Sequence, residues 1–312
     1  MIDSPRSVAF TGHLSALFTV FVWGVTFVSS KVLLSILAPA QLLLTRMGIG
    51  YLFLWIVSPR PLRLKERKDA LLFIGAGGFG ICLYYFLENT ALTYSYASNV
   101  GVIVSVAPVF TVLCCSVAFH QKLKARYFIG FAVAIAGIFL ISFNEGYNLK
   151  LNPLGDVLAL GAAVTWGFYS VFARKITERG YAIIPATRAM FLPALVMILI
   201  INLIHPVPWP VVQMFGWRYL KHLLFLGIVA SGMCFVSWNY SLLALGPITG
   251  TFYIYLCPVI TMVCSAIYLG ETITPLAIWG AVLTLFGLAF SELRLPRKFG
   301  KGESAPERRI GS

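Results

Sequence analysis

Two stretches of this chain open in the same way. Phe21-Val22-Trp23-Gly24 is followed by Lys31, and Val164-Thr165-Trp166-Gly167 is followed by Arg174, with the same spacing from tryptophan to cation. Each lies in an apolar run near the ~20 residues that a helix needs to cross a hydrocarbon core. A fold that repeats such a run must bury its backbone polar groups within helices or a closed barrel. Runs this long, without two-residue alternation, select helices.

Composition names the solvent. Of 312 residues, 59% are hydrophobic and only 11% charged, with a mean hydropathy of +0.86. A soluble domain is about half apolar and a quarter charged, so this surface faces lipid. Ten spanning segments are read at roughly 13–31, 39–57, 69–92, 97–119, 125–143, 154–173, 183–204, 222–243, 247–269 and 275–292, joined by short loops. The first run is full length and lacks a small-residue cleavage site, so it is not read as a signal peptide.

Charge sets an expected orientation. Arg60, Arg63, Lys65, Arg67 and Lys68, then Lys122, Lys124 and Arg126, then Arg174, Lys175 and Arg179 fall on one side. The other side has Lys31, Lys150, Arg218 and Lys221. Positive loops stay cytoplasmic, which places both termini inside and the chain in a plasma (inner) membrane. The net charge of +13 is then a matter of topology, and no nucleic-acid partner is expected. Residues 1–12 are read as a cytoplasmic start and 293–312 as a disordered basic tail.

A shift of 150 positions pairs Gly77 with Gly227, Asn89 with Asn239, Pro108 with Pro258, Cys114 with Cys264, Gly130 with Gly280 and Gly137 with Gly287. A slightly smaller shift pairs Thr45-Arg46 with Thr187-Arg188. Arg, Asn and Pro are rare inside spans, so their correspondence carries weight. Five helices per half, at 13–143 and 154–292, force the second half upside down relative to the first. The expected fold class is an all-α membrane protein of ten transmembrane helices in two inverted five-helix repeats, a plan common among secondary transporters.

Taken together, these residues resemble the EamA-type members of the drug/metabolite transporter superfamily, over about 13–143 and 154–292. The likeness rests on the Trp-Gly opening of each half and on Tyr94-Ser95-Tyr96-Ala97-Ser98-Asn99. It rests also on Pro108 and Pro258, and on Leu269-Gly270-Glu271 followed by Gly280 and Gly287. The first half has Gln121 where the second has Glu271, which weakens any role needing that charge twice. The resemblance implies a transporter without specifying its cargo.

An ionisable group at membrane depth needs a reason. Glu88 shares a helical face with Tyr85, Tyr84 and Ile81, and it is the one acid read as buried. Its counterpart is Trp238, so the pair breaks the repeat's symmetry, as a bound ligand would require. A carboxylate facing aromatic rings suits a cation, and Glu88 is also the candidate for proton coupling. The alternative is a hydrated interfacial residue or a structural partner for an arginine. Trp23, Trp166 and Trp238 are expected walls of the site, with packing as the plainer role of the first two. Asn89, Asn239 and Asn99 would offer neutral hydrogen bonds, and Tyr84, Tyr85, Tyr253 and Tyr255 further lining. Arg46, at a depth from which it could reach Glu88, and Arg188 are assigned to structural pairing, snorkelling or gating. Pro108 and Pro258 should kink the fourth and ninth helices and shape the cavity or its hinges.

The function expected from this is alternating-access export of small metabolites such as amino acids, amines or organic cations, coupled to protons. The alternative is a carrier of nucleotide-linked or lipid-linked sugars, with the arginines on phosphates. An intramembrane enzyme is a remote third, because there is no Gly-x-Ser-x-Gly or His-Glu-x-x-His stretch. Gly75, Gly77, Gly78 and Gly80 lack the Lys-Ser or Lys-Thr of a phosphate loop. The six cysteines lie in apolar runs and the four histidines are scattered, so no metal site or cofactor is expected. The expected partners are a small-molecule substrate and the lipid bilayer, with a homodimer left open.

Overall fold

The computed structural model describes residues 5–95, 97–120, 125–142, 152–269 and 273–292. The first half contains α1 (Pro5–Leu33), α2 (Pro39–Val57) and α3 (Asp69–Tyr94). Next come α4 (Ala97–Val104) with α5 (Ala107–Phe119) as one broken crossing, and then α6 (Ala125–Ser142). The second half repeats this with α7 (Pro153–Glu178), α8 (Ile183–Ile204), a short α9 (Val211–Met214) and α10 (Trp217–Leu245). It closes with α11 (Pro247–Phe252), a 3₁₀ turn at Tyr253–Tyr255, α12 (Leu256–Leu269) and α13 (Pro275–Glu292). The fold is ten transmembrane segments in two inverted five-helix repeats, and no strand occurs among the described residues.

Local chemistry sets several boundaries. Pro39, Pro153, Pro247 and Pro275 each stand in the first turn of a helix, where the missing N–H costs nothing. Asn152 caps α7 by accepting from the Gly155 amide at 3.2 Å. Gly246, at φ +83°, makes the turn between α10 and α11 that a side chain would strain. The outer surface remains apolar, with Ile56, Val117 and Ile267 more than 70% exposed, as suits lipid.

Several boundaries differ from the sequence reading. The first helix begins at Pro5, inside the expected cytoplasmic start, and the sixth crossing runs on to Glu178. Connection 205–216 is longer than the other loops and folds into α9. Rather than kinking at Pro108 and Pro258, the fourth and ninth crossings break a few residues before them. Pro108 opens α5, and the 3₁₀ turn at 253–255 precedes Pro258. The proline ring crowds the carbonyl four residues back, so the rupture falls there. The side chain of Asn99, Gln121, Glu271 and the tail 293–312 lie outside the described residues.

The two halves are interleaved rather than set side by side. The opening helix of each half packs inside the other: α1 lies against α10 and α12, and α7 against α3 and α5. Gly24 makes the first approach possible, since a Cβ there would lie 2.7 Å from Ile260. Gly167 makes the second, with its Cβ site 2.9 Å from the Phe110 backbone. Positions 110 and 260 are related by the same shift of 150 found in the sequence. The α6–α13 crossing is equally symmetric: a Cβ on Gly137 would meet the Gly280 carbonyl at 2.5 Å, and one on Gly287 the Gly130 carbonyl at 2.7 Å.

Those contacts are with backbone, which cannot step aside. Gly137→Val is therefore expected to force α6 and α13 apart and cost about 1–3 kcal/mol. Unfolding in detergent should show this as a lowered midpoint, and an unchanged midpoint would refute the tight crossing.

An even number of crossings returns the chain to the face from which it began. On that face Asp69, fully buried, accepts from the Tyr181 hydroxyl and lies 3.5 Å from Arg179, which also pairs with Glu66 at 2.6 Å. Burial, and then the bond to Asp69, push the Tyr181 phenol above its usual value. Glu88 is thus not the chain's sole buried acid. Asp69 is bound into a loop-to-loop cluster at the membrane edge, which sequence order could not reveal.

Candidate functional site: an aromatic layer and an unpaired carboxylate

Because α1 and α7 are exchanged, their tryptophans meet at mid-membrane. Trp23 lies edge-on to Trp166, with centroids 5.4 Å apart, and 5.2 Å from Trp238 on α10. Trp166 is also 4.8 Å from both Tyr84 and Tyr169. Each such pair adds about 0.5–1.5 kcal/mol beyond burial, so the layer is a stable wall. The Trp23 indole donates to the Ala230 carbonyl at 3.1 Å. The indole nitrogens of Trp166 and Trp238 are buried and without a partner.

On one side of this layer, away from the chain's ends, lies a narrow cavity of about 30 Å³. It is lined by Trp23, Thr26 and Phe27 of α1, by Tyr84, Tyr85 and Glu88 of α3, and by Trp166. Residues around the broken crossings complete it, notably Ser105, Ile254 and Cys257. Glu88 is 5% exposed and stands one turn after Tyr84 on the same helix. Among the described residues it takes part in no ion pair. Arg46 does not reach it. Instead the Arg46 Nε donates to Ser231 Oγ at 3.2 Å, and its guanidinium stands 4.4 Å over the Tyr85 ring.

On the other side, opening at the face of the chain's ends, is a second, wider cavity of about 370 Å³ between α7, α8 and α10. Thr187, Met190 and Asn239 line it. Asn239 donates to Thr187 Oγ1 at 3.0 Å and accepts from the Tyr169 hydroxyl at 2.9 Å. Tyr169 therefore stands between the two cavities, tilted against Trp166 at one side and tied to Asn239 at the other.

Glu88, Tyr84, Tyr85, Trp23 and Trp166 come together around the first cavity, with Trp238 in the wall behind. Asn239 belongs to the second cavity. Asn89 is fully buried with both amide atoms unpartnered among the described residues, and does not line the first. Tyr253 lies elsewhere, its hydroxyl 2.6 Å from His13 Nδ1, and Tyr255 is fully buried in a separate cluster beneath α6. Arg188 is tied to the carbonyls of Ser58 and Arg60 and stacks 3.8 Å over Trp55, so it closes the end of α2. The side chain of Asn99 lies outside the described residues.

Thr26 and Tyr169 were missed by sequence reasoning, yet they decide where the cavity lies. They occupy the same position three residues after each Trp, and Glu88 matches Trp238. The second half therefore fills with Tyr169 and Trp238 the space that Thr26 and Glu88 leave open in the first. The mismatch at that third position was the signal available in the sequence.

The comparisons with known proteins agree with this architecture. The model of the EamA-like transporter family matches residues 10–143 and again 153–293. A relative from Streptantibioticus cattleyicolor, named "Probable terminal-alkyne amino-acid exporter", is 27% identical over 86% of this chain and 89% of its own length. "Uncharacterized transporter YyaM" of Bacillus subtilis is 24% identical over 92% and 96%. A solved crystal structure shares the fold with a TM-score of 0.71, covering 93% of this chain and 97% of its own at 18% identity. Matched along both halves, this chain is a membrane transporter and belongs to the EamA-like transporter family.

Proposed function

We propose that the chain exports small solutes carrying a protonated nitrogen, amino acids or organic amines, in exchange for protons. The observation that carries this reading is Glu88, a carboxylate buried without an ion-pair partner among aromatic rings at membrane depth. A lone buried charge is costly unless something intermittently compensates it. A proton and a cationic substrate both do so, and their competition for one carboxylate is the simplest form of exchange. The aromatic walls add cation–π attraction and a surface for apolar side chains. The name of the Streptantibioticus relative points the same way.

Alternating access follows from the layered arrangement. In the proposed orientation, with both ends cytoplasmic in the inner membrane, the larger cavity faces inward and Tyr169 closes it against the site of Glu88. The breaks at Val104–Ala107 and Tyr253–Tyr255 touch the site and supply hinges. Carriage of nucleotide-linked or lipid-linked sugars is less well supported, because Arg188 is already bound to backbone carbonyls.

The test is transport in proteoliposomes across a panel of amines and amino acids with an imposed pH gradient. Uptake of panel members that grows with the gradient and collapses with a protonophore is expected. Transport indifferent to the gradient, or confined to phosphorylated sugars, would overturn the proposal.

A further inference from the structure

The arginines that the repeat pairs are used differently. Arg188 places its terminal nitrogens on the carbonyls of Ser58 and Arg60. Arg46 is fully buried, and both its terminal nitrogens lack a hydrogen-bond partner among the described residues. Only its Nε is engaged, by the neutral hydroxyl of Ser231. A buried guanidinium without an anion is among the most heavily penalised groups in a membrane protein.

A carboxylate is close by. Tyr85 carries the Arg46 guanidinium against one side of its ring, lines the cavity, and stands one helical turn before Glu88. Arg46 and Glu88 feel one another electrostatically but lie beyond the 4.0 Å of an ion pair. Opposite charges buried together would close on each other if the site had to be neutral by itself. Here they are held apart, with the guanidinium resting on the Tyr85 ring and its Nε on Ser231.

We infer that Arg46 is the carboxylate-binding pole of the site, and that the substrate is a zwitterion, an α-amino acid with an apolar or aromatic side chain. Glu88 takes the ammonium group. The Tyr85 ring turns off the guanidinium as the carboxylate arrives. Cation–π contact thus holds Arg46 in the empty site and charge-assisted hydrogen bonds replace it in the loaded one. The inference rests on the amine reading of Glu88 and deepens it by assigning the second charge.

The discriminating experiment compares L-phenylalanine, L-phenylalaninamide and N-acetyl-L-phenylalanine in proteoliposomes containing the full chain. Wild type is expected to carry phenylalanine best and the amide more weakly. Arg46→Gln should lower phenylalanine transport about a hundredfold and leave the amide within about twofold, because only the former loses a buried charge pair. Arg46→Lys should recover part of the loss, and by a raised KM for phenylalanine alone it keeps the test alive should Arg46→Gln fail to fold. Equal loss of both substrates in a variant with the wild-type unfolding midpoint would overturn the inference, as would undiminished phenylalanine transport. Wild-type transport of the amide but not of phenylalanine would overturn it while sparing the amine reading. Transport of neither would sink both.

Discussion

Glu88→Gln is expected to abolish transport driven by a pH gradient and to leave a folded, inserted protein. The amide keeps the volume of the carboxylate, but it can neither take up a proton nor balance a cation. Losing one member of a buried charge–charge contact costs about 2–5 kcal/mol in binding, enough to bring substrate occupancy to background at ordinary concentrations. The protein itself does not suffer, because Glu88 forms no ion pair that the change would break. Arg46 loses only a counter-charge that does not touch it, so the change in stability is small. The expected pattern is an unfolding midpoint close to wild type with no gradient-driven uptake. Substrate counterflow without a gradient separates the two roles. Residual counterflow would mean that Glu88 couples protons but contributes little to binding. Intact gradient-driven uptake would remove Glu88 from the mechanism.

Much of the frame was legible in the residues. Span positions follow from apolar length, and the pairings of Gly137 with Gly287 and Gly130 with Gly280 reappear as one reciprocal crossing, because a backbone contact leaves no freedom of residue type. What sequence could not supply is which half each helix packs into. Nothing in Trp23 or Trp166 says that α1 and α7 are exchanged, and only that exchange brings them together. The π-helical turns Gly78–Leu83 and Phe225–Met233 were also invisible. Each lies within a regular apolar run, and the wider turn shifts the helical register leading to Glu88 and to Trp238. Arg46 and Glu88 were expected within reach of each other on depth alone. Depth cannot reveal that the guanidinium rests on the Tyr85 ring and on Ser231 instead.

The asymmetry between the halves yields the other large effect. Thr26 borders the Glu88 cavity, and its hydroxyl is turned back to the Trp23 carbonyl at 2.6 Å. At the same place in the second half, Tyr169 fills the space and bonds Asn239. Asn89 is the repeat partner of Asn239, and both its amide atoms are without partners. Thr26→Tyr therefore imports into the first half the arrangement that the second half already tolerates. The ring would occupy the crevices beside Glu88, and its hydroxyl would come within reach of Asn89. Overpacking costs about 1–3 kcal/mol, since the crevice takes a phenol ring only if its walls yield, and a bond to the buried amide returns about 1 kcal/mol. The variant should lose no more than about 2 kcal/mol of stability while transport falls to background for every substrate. That combination separates a blocked site from a damaged fold. A stable Thr26→Tyr protein that still transports would show that the substrate path runs elsewhere, and Glu88 would then be only a buried residue of the wall.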